Sequence, residues 1–519
     1  MERRDFLTRT ALGAAATVAP SYEVAAADNS PNSESGWPQR KRPESSPLWT
    51  WTTVELAEAI RSGRVSSREA VQSCVQRMHV VNPVVNAIAE SLETEALVAA
   101  DLADRERMRR SRHELPPLFG VPITTKMDSD VKGHASTDGV VAFKDNIATE
   151  DRAPIASLRA AGAIIIGRTN VPAFTFRWFT DNDLHGRTFN PWDPTLTPGG
   201  SSGGAACAVA VGIGPLAHGN DIAGSVRYPA YACGVAGIRP SLGVVSNFNP
   251  SAIGTPKPIT SQIMAVQGLM ARSVADLRLG LPAMSGRDVR DPWWQPTPPP
   301  PKGSRARPKA ALMSRLDGYT AEPAVAAGLA NAARALMAAG YDVEEAAPPF
   351  FKEIAELWSP LVLTEARFGF AQAIELFGDE KVKTAMRTWL AITPALDMEH
   401  YSAGFNRRYV ILREWRLFLQ KYTVLVTPSA WTKPFPIDYD QRGPDVFRQI
   451  LRSVSPQLAV ALLGLPGLSV PTGLVGGVPT GVQVVADRFR EDLCFDAGES
   501  IEEGIDMGTP IDPRSARRA

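Results

Sequence analysis

Residues 197–246 read TPGGSSGGAACAVAVGIGPLAHGNDIAGSVRYPAYACGVAGIRPSLGVVS, the stretch that most narrows what this chain can fold into. Two loops of small residues, each carrying serine, bracket an uncharged Ala/Val/Cys run at 205–211 and an acidic, Gly-rich turn at 219–225. Glycine admits backbone conformations closed to other residues and lets neighbouring groups approach closely. Gly199, Gly200, Gly203 and Gly204 around Ser201 and Ser202 therefore predict an unusual backbone rather than a plain surface loop. A Gly/Ser cluster is ordinarily a linker. This one continues directly into 205–211, which reads as the buried start of a helix, and linkers do not run into core.

Elsewhere helical and strand signals alternate. Thr52-x-x-Glu55 opens an amphipathic run that Gly63 ends, and Ser66-x-x-Glu69 opens the next. A helical stretch at 155–161 precedes Ile164-Ile165-Ile166, a short continuous apolar run suited to a strand buried on both faces. After a Pro-rich loop at 292–308 come a strand at 310–313, a helix at 324–339 and a strand at 341–345, with no internal repeat. This alternation favours an α/β sheet. The aromatics of 350–439, among them Trp358, Phe368, Phe370, Phe377, Trp389, Tyr401, Phe405, Tyr409 and Trp415, have loosely helical spacing and are expected to pack in a core.

Charge and motif content exclude several functions. The 55 basic and 55 acidic residues cancel, so no net field draws the chain to nucleic acid or an anionic membrane, and a small-molecule or peptide partner is expected. No Walker, H-E-x-x-H or C-x-x-C pattern is present, so neither metal nor cofactor is expected. Residues 212–217 formally fit a dinucleotide fingerprint, but Pro215 removes a backbone donor from the would-be phosphate turn. Of the six histidines none lies in a G-x-S-x-G or other serine-histidine setting; His218 and Cys233 read as satisfied core residues. The four cysteines are far apart in sequence and are expected to be free thiols.

The amino terminus carries Arg3-Arg4-Asp5-Phe6-Leu7, an apolar run at 10–18 too short to span a membrane, and Ala25-Ala26-Ala27. This is the pattern of a twin-arginine export signal, 1–27, with Thr8 where lysine is common. A Pro/Ser/charge-rich spacer at 28–46 then precedes a single domain, 47–519, and the expected location is periplasmic or extracellular. The sequence leaves the oligomeric state open.

The second loop, Gly219-Asn220-Asp221-Ile222-Ala223-Gly224-Ser225-Val226-Arg227-Tyr228-Pro229-Ala230, follows the GGSSGG loop, and Gly120-Val121-Pro122-Ile123-Thr124-Thr125-Lys126 stands upstream. These three pieces, in this order, closely resemble the amidase signature family of serine hydrolases. Further matching text lies at 162–170, 189–193, 237–240, 464–471 and 481–485, so the resemblance spans most of the chain after about residue 50. It implies an α/β fold with a mixed β-sheet core flanked by helices on both faces. It also implies amide hydrolysis through a Ser-Ser-Lys triad, releasing ammonia or an amine. Ser225 would be the nucleophile, Ser201 the relay in a cis peptide after Gly200, and Lys126 the base. The backbone amides of Ile222, Ala223, Gly224 and Ser225 would form the oxyanion hole. Ser202 would give a structural hydrogen bond, and Asp221 and Arg227 would brace the loop.

The mechanism needs a neutral lysine. An unperturbed one titrates near ~10.4, so burial must lower it, and Asp128 would oppose the role if it paired directly with Lys126. Two departures from the family pattern stand out: Ala223 where a second glycine is common, strained by about 1 kcal/mol or more if φ is positive there, and Met127-Asp128-Ser129 after the lysine. In the family the divergent later half roofs the pocket, so aromatics of 350–439, with Phe174, Phe176, Trp178 and Phe179, are candidates to contact an apolar acyl group. Rival functions are an esterase or acyl transferase on the same triad, a glutaminase-like subunit for tRNA-dependent amidation, which an export signal disfavours, and an inactive binding protein of the same fold.

Overall fold

The capping signals fold as the sequence writes them. Thr52 and Ser66 close capping boxes with Glu55 and Glu69 and open helices Thr53–Ser62 and Ser67–Val85; Gly63 ends the first in a left-handed conformation, φ 78°. The computed structural model describes residues 46–252, 257–298, 307–505 and 507–514. The expected export signal, and the spacer but for Ser46, lie outside them. The described residues from Pro47 onward form one compact unit.

Eleven strands among the described residues form one mixed sheet: β1 (Ile88–Ser91), β2 (Pro122–Lys126), β3 (Ile164–Thr169), β4 (Leu216–Asp221), β5 (Ala236–Arg239), β6 (Val266–Ala271), β7 (Lys309–Leu312), β8 (Asp342–Glu345), β9 (Val424–Pro428), β10 (Gly467–Val475) and β11 (Val478–Val485). Their order is β1-β3-β2-β4-β6-β5-β10-β11-β9-β7-β8. β2 runs parallel to both β3 and β4, so the ends of β2 and β4 lie side by side. Helix Ala153–Ala160 makes the crossover that a parallel β2–β3 pair requires.

Helices cover both faces at the centre of the sheet, which explains the uninterrupted apolar run Ile164-Ile165-Ile166 of β3, whereas the edge strands β1 and β8 are polar and half-exposed. Ile165, Leu216, Leu269, Val424 and Val426 share a core with Leu56, Leu277 and Phe495 of helices Thr53–Ser62, Val274–Met284 and Glu491–Glu503. Alternate residues Ile164, Ile166, Ala217 and Met270 face the other way, onto helices Ser67–Val85 and Gly203–Ala210. The latter contains most of the 205–211 run and is buried at every residue.

The later half departs from expectation. Phe351–Ala366, Phe370–Phe377, Glu380–Ile392 and Met398–Lys421 are helices, and Trp358, Trp389 and Trp415 are core. Phe368, Phe370, Phe377 and Tyr409 are exposed, contrary to the core reading. In the case of Phe370 and Phe377 the reason is that their short helix buries only Ile374. All four cysteines are free and buried.

Candidate active site

Strand order brings distant residues together. Lys126 ends β2, and Asn220 and Asp221 end the neighbouring β4; ligands of parallel sheets commonly bind beyond such carboxyl ends. The GGSSGG loop reaches this point just before helix Gly203–Ala210. At Gly200 the fit leaves no room for a side chain, because a Cβ there would run into the Arg177 carbonyl oxygen. The Gly200–Ser201 peptide bond is cis, as the resemblance implied.

Lys126 is fully buried, and its Nζ is hydrogen-bonded to Ser201 Oγ at 2.7 Å and donates to Asn220 Oδ1 at 2.6 Å. Burial lowers its proton affinity below that of an ordinary lysine, against the opposing pull of Asp128, Asp138 and Asp221. Asp128 makes no ion pair with it among the described residues. Instead Asn220 Nδ2 donates to Asp128 Oδ2, so a neutral amide separates cation from carboxylate. Burial would raise Asp128, but Lys126 and Arg152 outweigh it and hold it ionised. Burial, reinforced by the Asp128 charge, raises Asp138 well above the usual carboxylate range.

Ser225 lies in the turn after β4. Ser202 N–H donates to its carbonyl at 3.2 Å, tying the two serine loops together, while Ser202 Oγ donates to the Asn220 carbonyl at 3.4 Å. Among the described residues no hydrogen bond joins Ser201 Oγ to Ser225 Oγ. Side-chain contacts of this kind are often long before substrate binds.

The turn is held from inside by Asp221. Its carboxylate accepts from the N–H groups of Gly224 (3.0 Å) and Val226 (3.2 Å), from Arg227 Nε (3.0 Å) and Nη2 (2.8 Å), and from Arg239 Nη1 (3.3 Å). All three charged side chains are fully buried. Against the upward push of burial, Arg227 and Arg239 hold Asp221 well below the usual carboxylate range. Asp221 and Arg227 thus pair as expected. Arg239, quoted in the sequence only as part of a matching segment, is the partner that sequence reasoning missed.

Of the four expected oxyanion donors, the Gly224 N–H is taken by Asp221; those of Ile222, Ala223 and Ser225 have no acceptor among the described residues. Trp358 Nε1 donates to the Ile222 carbonyl at 3.1 Å and Trp178 Nε1 to the Ala223 carbonyl at 3.0 Å, fixing the peptide planes from outside. The positive φ of this turn falls on Gly224 (+95°) and not on Ala223, so the anticipated alanine strain is absent.

Aromatic rings continue outward from these two indoles. Trp389 lies 5.3 Å from Trp178 and 5.6 Å from Trp358, Phe176 lies 5.3 Å from Trp389, and Phe370 lies 5.8 Å from Phe176. His218 is a satisfied core residue, as expected. Its Nδ1 accepts from the Lys126 N–H at 3.5 Å, its Nε2 donates to Gln267 Oε1 at 2.9 Å, and burial lowers its pKa to about 4. No cluster of metal-ligating side chains occurs among the described residues.

Asn220 and the two indole donors carried no sequence signal beyond their place. Asn220 is an unspecified position of the loop motif, and Trp178 and Trp358 are 180 residues apart.

The family model described as Amidase matches residues 69–495. An indoleacetamide hydrolase of Bradyrhizobium diazoefficiens is 43% identical over 464 residues, covering 88% of this chain and 87% of the relative. An acylamidase of Rhodococcus erythropolis is 31% identical over 470 residues, covering 87% and 94%. A solved bacterial aryl acylamidase of the amidase signature family superposes with a TM-score of 0.76 at 25% identity, over 90% of this chain and 98% of its own. The 6-aminohexanoate cyclic dimer hydrolase does so at 0.76 and 26%, over 91% and 99%. The chain therefore belongs to the amidase family and is a hydrolase of the C–N bond of carboxylic amides.

Proposed function

We propose that the protein hydrolyses amides whose acyl group is aromatic, of the arylacetamide type, through an acyl-enzyme on Ser225. The observation that carries the mechanism is the buried Lys126 Nζ at 2.7 Å from Ser201 Oγ, beside the Ser225 turn. Ser225 Oγ attacks the carbonyl carbon, its proton passes to Ser201 Oγ, and the Ser201 proton passes to Lys126 Nζ. The free N–H groups of Ile222, Ala223 and Ser225 receive the oxyanion. As the C–N bond breaks, Lys126 returns the proton through Ser201 to the leaving nitrogen, and water then releases the acid by the same route. Ser202, Asp221 and Arg227 act by holding the two loops.

The acyl preference is supported by the run of aromatic rings that leads outward from the turn, Trp178 and Trp358 to Trp389, Phe176 and Phe370, and by the likeness to an indoleacetamide hydrolase and an acylamidase. The twin-arginine pattern at 1–27 supports an exported enzyme. The test is turnover of indole-3-acetamide, phenylacetamide, acetamide and a peptide amide by the full chain and by Ser225→Ala. Arylacetamides turned over at least tenfold better than acetamide, with loss in the variant, is the expected result. Retained activity in Ser225→Ala, or a preference for acetamide, overturns the reading.

A further inference from the structure

We propose that Asn220 is a positioning residue that sets the proton affinity of Lys126, by standing as a neutral amide between the lysine and the Asp128 carboxylate. The inference rests on the reading of Lys126 as the base. The chain of contacts is continuous: Lys126 Nζ donates to Asn220 Oδ1 at 2.6 Å, and Asn220 Nδ2 donates to Asp128 Oδ2. The Asn220 backbone is fixed by its pairing with Gln267 on β6 and by the Ser202 hydroxyl on its carbonyl, so the side chain enters from a rigid strand.

The chemistry favours an amide at this point. A base in this relay must be neutral at rest and must become an ammonium during acyl transfer. A carboxylate touching Nζ would hold the proton at rest, raising the lysine pKa by about 1 to 3 units. An apolar wall would leave the transient ammonium without an acceptor. An amide oxygen accepts from the lysine in either state, and its NH₂ bound to Asp128 polarises that oxygen, so part of the carboxylate charge reaches Nζ without an ion pair.

The other charged groups facing Lys126 are otherwise engaged. Asp221 is committed to Arg227 and Arg239, Arg152 lies 4.0 Å from Asp128, burial raises the Asp138 carboxyl, and His218 accepts from the Lys126 backbone. Asn220 is thus the contact through which Asp128 is coupled to the lysine by hydrogen bonds.

The test is the pH profile of kcat and kcat/KM on an arylacetamide p-nitroanilide, for the full chain and for Asn220→Asp, Asp128→Asn and Lys126→Ala. Neutral Lys126 is the active form, so activity rises with pH through its pKa. Asn220→Asp moves this ascending limb up by one unit or more, with at least a tenfold loss at pH 7 that is regained at higher pH and a KM within threefold. Asp128→Asn removes the relayed charge and moves the limb down. Limbs that coincide with the wild type in both variants overturn the proposal, even where overall rates fall, because a merely structural role lowers rate without moving the limb. Should Asn220→Asp fail to fold, Asn220→Leu, which removes the amide bridge and keeps the Asp128 charge, decides: a limb that coincides with the wild type there overturns the proposal. Lys126→Ala separates the two levels: full activity there refutes the base reading itself, whereas its loss with unmoved limbs refutes only the role of Asn220.

Discussion

Gly224→Ala places a methyl group where the turn has no space for it. The ideal Cβ would lie 1.7 Å from Gln457 Oε1, 2.7 Å from its Cδ and 3.0 Å from its Cβ, so the whole Gln457 side chain must move and not only its tip. Gln457 is fully buried, and its Nε2 donates to the Ser429 carbonyl at 2.7 Å. Breaking that bond leaves a buried amide donor unpaired, a cost of about 1 to 3 kcal/mol. The φ of +95° adds about 1 to 2 kcal/mol for an L side chain. We expect a loss of about 2 to 5 kcal/mol in urea unfolding. If instead the turn yields by about 1 Å, kcat falls by about 100-fold as the Ser225 and Ala223 amides lose their aim.

Ala223→Gly is the control. It removes a buried methyl and adds backbone freedom at a position without positive φ, for about 1 to 2 kcal/mol, and activity stays within a few-fold. Gly224→Ala with stability within 1 kcal/mol of wild type and kcat within threefold would refute the packing argument. So would an Ala223→Gly variant more damaged than Gly224→Ala.

Two further outcomes follow from buried charge. Asp221→Asn leaves Arg227 and Arg239 buried without their anion, and either amide orientation points an NH₂ at existing donors; the expected loss is about 3 to 5 kcal/mol at pH 7 by urea titration. Because the Asp221 pKa is depressed in the fold, that difference stays constant from pH 5 to 8 and shrinks only below about pH 4, where the carboxylate of the unfolded wild-type chain takes up a proton that the folded one still resists. Asp276, whose Oδ1 accepts from the Val54 N–H, behaves oppositely: burial raises its pKa to about 6. The folded state binds this proton more tightly than the unfolded chain, so Asp276 costs about 3 kcal/mol above pH 6, a cost that disappears as pH falls toward 4. Asp276→Asn should exceed wild type in stability at pH 7 and lose the advantage by pH 4; parallel stability curves for the two proteins would contradict this.

Much of the site was legible because its function is carried by backbone conformation, and backbone demands write themselves as glycine. The GGSSGG loop and the 219–230 loop named Ser201 and Ser225, and Lys126 was found through its matching segment. Asp221 and Arg227 flank Ser225 and were readable as braces of its loop, which their ion pair bears out. Asn220 was not legible, since its role depends on two residues, Lys126 and Asp128, that meet it only because β2 and β4 are neighbours in the sheet. Trp178 and Trp358 were unreadable as loop donors, because an indole N–H has no sequence periodicity and their target carbonyls come from a third segment. The exposed Phe368 and Tyr409 misled the core reading, as helical spacing tells which residues share a face but not whether that face is covered.

By itself the sequence determined the alternation of helices and strands, the caps that start them, and the two small-residue loops, since each follows from local sterics and hydrogen bonding. Only the tertiary structure decided that Ala223 is unstrained, that Arg239 shares Asp221, and that an amide stands between Lys126 and Asp128. Strand order sets which chain ends lie together, and burial sets the proton affinity of what lies there; neither quantity exists until the sheet has formed.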